Sequence, residues 1–346
     1  MKLGIVVGYS GRKLALPMDL VREAERLGYD SCWTSEAYGS DAVSVSAWIL
    51  ANTSRIKVGT AILQLPARTP TMTAMTAMSL DQLSNGRFIV GLGPSGPQVV
   101  EGWYGATYAK PLSRLREYIE VMQLVFARQE PVAYQGYHYQ LPYKGEDATG
   151  LGKPLKSILH CERKIPIYTA SLQHKAVALS AELTDGFFPI WLNPERTDLF
   201  EAPVAEGLAK AGAGKKREDF DIAPFVTVVM GNDVDACRAQ VKPAMALYIG
   251  GMGARGKNFY TDYASRLGYP DAARKIQDLY LDGKKDEAAA CVPDQLVDDV
   301  ALCGSADRIR DRLQAWIAAG KTHHVGTMIL GSSQPEALRL VAETVL

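Results

Sequence analysis

Asn85-Gly86-Arg87-Phe88-Ile89-Val90-Gly91-Leu92-Gly93-Pro94-Ser95-Gly96 is the stretch on which the fold turns. A turn dipeptide opens it, an apolar run follows, and it ends in G-x-G-x-x-G. Directly after a strand, that pattern is a dinucleotide fingerprint, which then needs a helix, a second strand and an acidic residue about 20 positions on. Glu117 and Glu120 lie at that distance, but inside a segment of evident helical period, 112–126. The same pattern recurs at Gly251-Met252-Gly253-Ala254-Arg255-Gly256, where no crossover unit follows. Two matches in unsuitable contexts argue against a dinucleotide fold. The glycines still mark the C-terminal end of a strand, where a barrel places its chemistry. There they either let a flat ligand approach the backbone or simply make a tight turn.

Working outward, short apolar runs alternate with segments of helical period, as in a parallel sheet with crossover helices. Strands are expected at 3–7, 31–34, 56–63, 88–92, 165–169, 186–190, 222–229 and 325–330. Helices are expected after Pro17 up to Gly28, from Asp41 to Leu50, and at 70–83, 112–126, 174–183, 235–248 and 306–319. Eight buried strands with helices between them predict an α/β fold, a (β/α)8 TIM barrel, over a single domain of residues 1–346. The length exceeds a minimal barrel by roughly a hundred residues. Two irregular stretches, about 134–161 and 250–293, take up much of that excess as insertions at the C-terminal face, where loops roof an active site.

With 38 basic and 38 acidic residues the formal charge is zero, which leaves no basic surplus for nucleic acid or acidic membranes. The five cysteines are scattered and read as reduced thiols of a cytoplasmic protein. No apolar stretch approaches bilayer length. There is no zinc spacing, no H-E-x-x-H, no nucleophile elbow and no Walker loop, so no metal site is expected. A barrel without these devices borrows its reactivity from an organic cofactor.

Several segments in order then resemble the bacterial luciferase-like superfamily, particularly its F420-dependent branch. They are Ala24-Glu25-Arg26-Leu27-Gly28-Tyr29-Asp30-Ser31-Cys32-Trp33 with Ser35-Glu36, then Arg55-Ile56-Lys57-Val58-Gly59-Thr60-Ala61-Ile62, Ser84 to Ser95, and Trp103-Tyr104-Gly105. Lys110-Pro111, Arg114-Leu115-Arg116-Glu117, Ile165-Pro166-Ile167-Tyr168 and Asp185-Gly186-Phe187 complete the set. The resemblance implies coenzyme F420, with FMN as the alternative, at the C-terminal mouth of the barrel. It implies a non-prolyl cis peptide at the end of strand three, by position between Ala61 and Ile62 after Thr60, bulging against the central ring. Glu36 would lie beside the cofactor's tail or ring. Gly93, Pro94, Ser95 and Gln98 would flank it, and Ala170, Ser171, Leu172 and Gln173 would form the phosphate cradle at a helix N-terminus. Arg12 and Lys13 either meet anionic tail groups or stand in solvent. Homodimers would form through the helices after strands two and three, where Met72, Met75 and Met78 make a stripe that a core-facing helix explains equally well.

The departures are informative. F420-dependent sugar-phosphate dehydrogenases carry an acid-His pair after strand two and a glutamate after strand four. The methylenetetrahydromethanopterin reductases, which share Gly-Leu-Gly-Pro, carry the acid-His pair too. This chain has Glu36-Ala37 and Gly96 instead, so oxidation of a sugar alcohol loses its base. Hydride delivery to an apolar, bulky small-molecule substrate would need one proton donor, with Tyr9 and Glu36 as the catalytic candidates and Tyr260 or Tyr263 behind them. Tyr134, Tyr137, Tyr139, Tyr143 and Phe259 could wall an apolar pocket. The alternatives are an FMN-dependent monooxygenase on the same barrel and a non-catalytic F420-binding protein.

Overall fold

In the computed structural model, which describes residues 1–8 and 11–346, the apolar runs become parallel strands and a helix returns after each. The eight units are β1 (Lys2–Gly8) and α1 (Met18–Leu27), β2 (Ser31–Thr34) and α2 (Ala42–Ala51), β3 (Lys57–Thr60) and α3 (Pro70–Leu83), and β4 (Phe88–Gly93) and α4 (Pro111–Ala127). They continue with β5 (Ile167–Ala170) and α5 (His174–Leu183), β6 (Gly186–Phe188) and α6 (Asp198–Ala211), β7 (Phe225–Met230) and α7 (Ala306–Lys321), and β8 (Thr327–Gly331) and α8 (Pro335–Val345). Local chemistry sets the ends. Gly28 stops α1 at φ 91°, and the Asp41 carboxylate accepts from the Ser44 N–H at 2.8 Å to start α2.

Pairing runs β6-β5-β4-β3-β2-β1-β8-β7. The ring closes through the segment leading into β7. Asp221–Ile222 pairs with β6, Ile190 bridges Phe225, and β7 pairs with β8. Pro224 interrupts that strand because it has no N–H to give, yet its carbonyl still accepts from Ile329 at 2.9 Å. No helix among the described residues is long and apolar enough to cross a membrane.

Side chains plug the barrel. Trp33, Ile89, Tyr168, Phe188, Ala223 and Ile329 are buried together, with Trp33 ring centroids 5.4 Å from Tyr168 and 5.0 Å from Phe188. Gly59 makes room for the indole, since a Cβ there would overlap it. The motif glycines behave in the same way. A Cβ on Gly91 would overlap the Thr60 carbonyl, and one on Gly93 would lie 2.8 Å from Ile62. Their bare faces are therefore filled by β3 and its continuation, which corrects the reading that a flat ligand approaches them.

The second insertion is longer than 250–293. The helix Val234–Ala246 packs on Lys285–Ala290, Asp294–Val300 and the strand Leu302–Gly304, so it belongs to the insertion, and α7 is the true crossover helix. The excursion begins beyond Met230, whose N–H and C=O are both held by the Gln334 amide at 2.8 and 2.9 Å, and re-enters at Leu302–Gly304, paired with the end of β7. The first insertion leaves α4 and rejoins β5 at the N-terminal end of the barrel. It climbs the flank of α4 as far as Glu117, which accepts from the N–H groups of Tyr137, His138 and Tyr139. Helix α6 was not expected, because Pro203 and Gly207 lower its propensity. Gly207 is there because a Cβ would overlap the Ala178 carbonyl of α5.

Below the plug lies a buried carboxyl. Asp221 accepts from Tyr168 Oη at 3.0 Å and Thr327 Oγ1 at 2.5 Å, while its Oδ1 has no partner. Burial pushes its pKa up, opposed by the two hydroxyls. A carboxyl with a raised folded pKa gives full stability below its unfolded value and loses it as pH rises through the folded one. Thermal midpoints followed upward from the ordinary carboxylate range should therefore fall in the native chain. Asp221→Asn should remove that component of the slope.

Candidate active site

Three loops meet at the C-terminal mouth around Glu36, two residues beyond β2. Its side chain is buried. Oε1 accepts from Gln64 N–H at 2.9 Å and Arg68 Nη1 at 3.0 Å, and Oε2 accepts from Ala42 N–H at 3.1 Å and the same Nη1 at 3.1 Å. Arg68 Nη2 stands 3.6 Å from Asp41 Oδ2. Among the described residues, each of these four hydrogen bonds is donated to Glu36. Such a carboxylate fastens the loop after β3 to the start of α2.

A second network begins at Gln64, also buried. Its Nε2 donates to Ser95 Oγ at 2.9 Å, and its Oε1 accepts from Tyr104 Oη at 2.8 Å. Ser95 holds φ 62°, a left-handed turn directly beyond β4. Burial raises the Tyr104 pKa and the nearby Glu36 carboxylate raises it further, so the phenol keeps its proton at neutral pH.

Between these networks lies the end of β3. The Ala61–Ile62 peptide bond is cis, and Ala61 N–H donates to Thr34 O at 2.5 Å. Both side chains pack on the aromatic plug and remain partly exposed above it, so they form the floor of the mouth. Thr60 is fully buried, and its hydroxyl exchanges hydrogen bonds with the Gly91 N–H and C=O at 2.9 Å each. It is a strand tie, out of reach of a ligand.

Beyond β5, Ala170 and Gln173 are exposed and Leu172 is half-buried. Ser171 turns inward, with Oγ 2.8 Å from Ser180 Oγ, so its hydroxyl serves the turn. The first turn of α5 has no side-chain cap. Pro94 is half-buried, and Gln98, Arg12 and Lys13 are exposed. Tyr9 lies outside the described residues. Tyr263 is buried and donates to Trp191 O at 3.2 Å, which removes it as a donor at the mouth.

The expected aromatic wall is divided. Tyr139 packs edge-on against Tyr118 on the flank, and Tyr143 bonds Asp147 in solvent, so the first insertion does not line the mouth. The second insertion packs its rings beyond β6. Tyr260 and Tyr248 meet Trp191, just past β6, at centroid distances of 5.9 and 6.1 Å. Asn258 orders this corner by donating to Tyr248 O and Ile249 O and accepting from Tyr260 N–H.

Sequence reasoning missed Gln64, Arg68 and Trp191. Tyr104 stood inside a recognised segment without a role. A cleft of about 230 Å³ opens here, lined by Glu36, Tyr38, Asp41, Arg68, Trp103 and Tyr104 among others. Glu36→Ala would leave a guanidinium and two backbone N–H groups without their acceptor. The expected loss is roughly 3 kcal/mol of stability, read from the denaturant midpoint.

The model of the luciferase-like monooxygenase family matches residues 5–323. A Mycobacterium tuberculosis protein, provisionally named a coenzyme F420-dependent oxidoreductase, is 46% identical over 100% of this chain and 99% of its own length. The 5,10-methylenetetrahydromethanopterin reductase of Archaeoglobus fulgidus is 26% identical over 94% of this chain and 93% of its own. Among solved structures, the F420-dependent tetrahydromethanopterin reductase of Methanopyrus kandleri superposes with a TM-score of 0.80 at 21% identity, covering 99% of this chain and 98% of its own. That last likeness bears on the fold alone. A closed barrel with its polar networks gathered beyond β2, β3 and β4, matched along its length by these relatives, belongs to the luciferase-like monooxygenase family.

Proposed function

We propose that this protein is an F420-dependent oxidoreductase that moves a hydride between the deazaflavin and an apolar organic substrate. The full-length 46% identity to the mycobacterial oxidoreductase carries this reading. The residues at the mouth fit such a group. The floor at Ala61 and Ile62 is apolar and partly exposed, and the uncapped first turn of α5 suits an anionic phosphodiester. When bound, the deazaflavin supplies two-electron, hydride-transfer chemistry.

Ala61 and Ile62 would support the ring, and Pro94, Ser95 and Gln98 would border it. Ser95 Oγ accepts from Gln64 Nε2, so its own proton is free for a ligand acceptor. Backbone groups of Ala170, Leu172 and Gln173 hold the phosphate, while Ser171 fixes the turn through Ser180. Tyr104 takes the place first given to Glu36 as proton-holding group, since burial and a neighbouring carboxylate both keep its phenol protonated. The five cysteines are unpaired, which suits a reducing cytoplasm.

The test of the cofactor is equilibrium titration with F420 and with FMN, followed by fluorescence quenching. F420 should bind at least tenfold more tightly; the reverse preference sinks the reading.

The protein pairs with a second copy of itself through α2 and α3. Helix α2 has no charged side chain and exposes 59% of Trp48, and α3 exposes half of Met72 and Met75 while its one carboxylate, Asp81, is buried. Met78 of the same stripe faces the core. Sedimentation should give a dimer for the native chain and a monomer for the Trp48→Glu, Met75→Glu variant, with F420 binding kept.

A further inference from the structure

The cleft beyond β2, β3 and β4 has a charge balance and a shape that select what it binds. Its ionisable lining residues, apart from the tyrosines, are Glu36, Asp41 and Arg68, two carboxylates against one guanidinium. Arg68 is already committed: Nη1 is bonded to both oxygens of Glu36, and Nη2 faces Asp41. An anion entering here meets two carboxylates and a guanidinium that has no charge to spare. A cation would have to share carboxylate oxygens that already accept from Arg68, Gln64, Ala42 and Ser44. Nη2 makes no hydrogen bond among the described residues, so it keeps a donor for a neutral oxygen.

Two large rings stand over the same cleft. Tyr38 is 69% exposed and Trp103 is 65% exposed, on loops from different strands. Rings left in solvent beside a concave site lose nothing by being covered, and flat conjugated surfaces cover them best. Tyr104, also in the lining, gives its O–H to Gln64 Oε1 at 2.8 Å and so closes the side of the cleft.

We infer that this cleft receives the polar end of the substrate, and that the substrate is an uncharged, flat, conjugated carbonyl compound. Its oxygen accepts from Arg68 Nη2, and its ring stacks on Trp103 and Tyr38. This rests on the proposed oxidoreductase reading and narrows it to a chemical class.

The probes are three fused-ring molecules of one size: coumarin (neutral), coumarin-3-carboxylate (anionic) and N-methylquinolinium (cationic). Each is equilibrated with the full chain loaded with oxidised F420, and binding is read by dialysis and tryptophan fluorescence. Coumarin should bind roughly fivefold or more tightly than either charged probe, and Trp103→Leu should weaken it about fivefold. Trp103 is exposed, so this variant keeps its fold, and its F420 affinity should match the native chain. Equal or tighter binding of a charged probe overturns the inference, as does coumarin binding indifferent to Trp103, or none at all. An emission change with protein concentration that the native chain shows and Trp103→Leu lacks, with none on adding coumarin, would assign the rings to a second copy and overturn it too. Failure of the native chain to bind F420 is a separate result that brings down the cofactor reading instead.

Discussion

A carbonyl oxygen resting where a side chain would otherwise be is the constraint on which the mouth of this barrel depends. Thr60 points its C=O at the bare face of Gly91, and its hydroxyl exchanges hydrogen bonds with the same residue. That contact draws the end of β3 tight against β4. It sets Ala61 and Ile62 over the aromatic plug, and Ile62 then claims the space beside Gly93. A methyl group at position 91 would have to displace main chain, which a packed interior resists.

From that floor the polar networks follow in order along the chain. Four residues past the contact, Gln64 gives its backbone N–H to Glu36, and its side-chain amide donates to Ser95 and accepts from Tyr104. Four residues later Arg68 closes on Glu36. The loops after β2, β3 and β4 are thus tied by one carboxylate and one amide. The named polar groups in these ties have protein partners, so the mouth is ordered by hydrogen bonds that are charge-assisted at Glu36. A buried Glu36 accepting four bonds is a structural anchor for the loops it joins.

The barrel itself was legible from periodicity. The segments 31–34 and 70–83 agree with β2 and α3 residue for residue, because turn and cap chemistry is local: Gly28, Asp41 and Asn85-Gly86 act through their own backbones. The limits of reading by period appear at α6, where Pro203 and Gly207 hide a helix that tertiary contact requires. They appear again at Val234–Ala246, whose periodicity marks a helix without saying which layer it joins.

What the amino-acid order determined by itself was the closed eight-fold alternation and the location of chemistry beyond the strand ends, since both follow from contacts between near neighbours in the chain. It could not assign roles at the mouth. Whether Glu36 is an acid or an anchor depends on Arg68, 32 residues away. Whether Gly91 faces a ligand or a carbonyl depends on Thr60, 31 residues away. Whether an aromatic residue lines the site or the flank depends on which insertion carries it. Those partners meet only once the sheet has closed, so tertiary packing alone decided them.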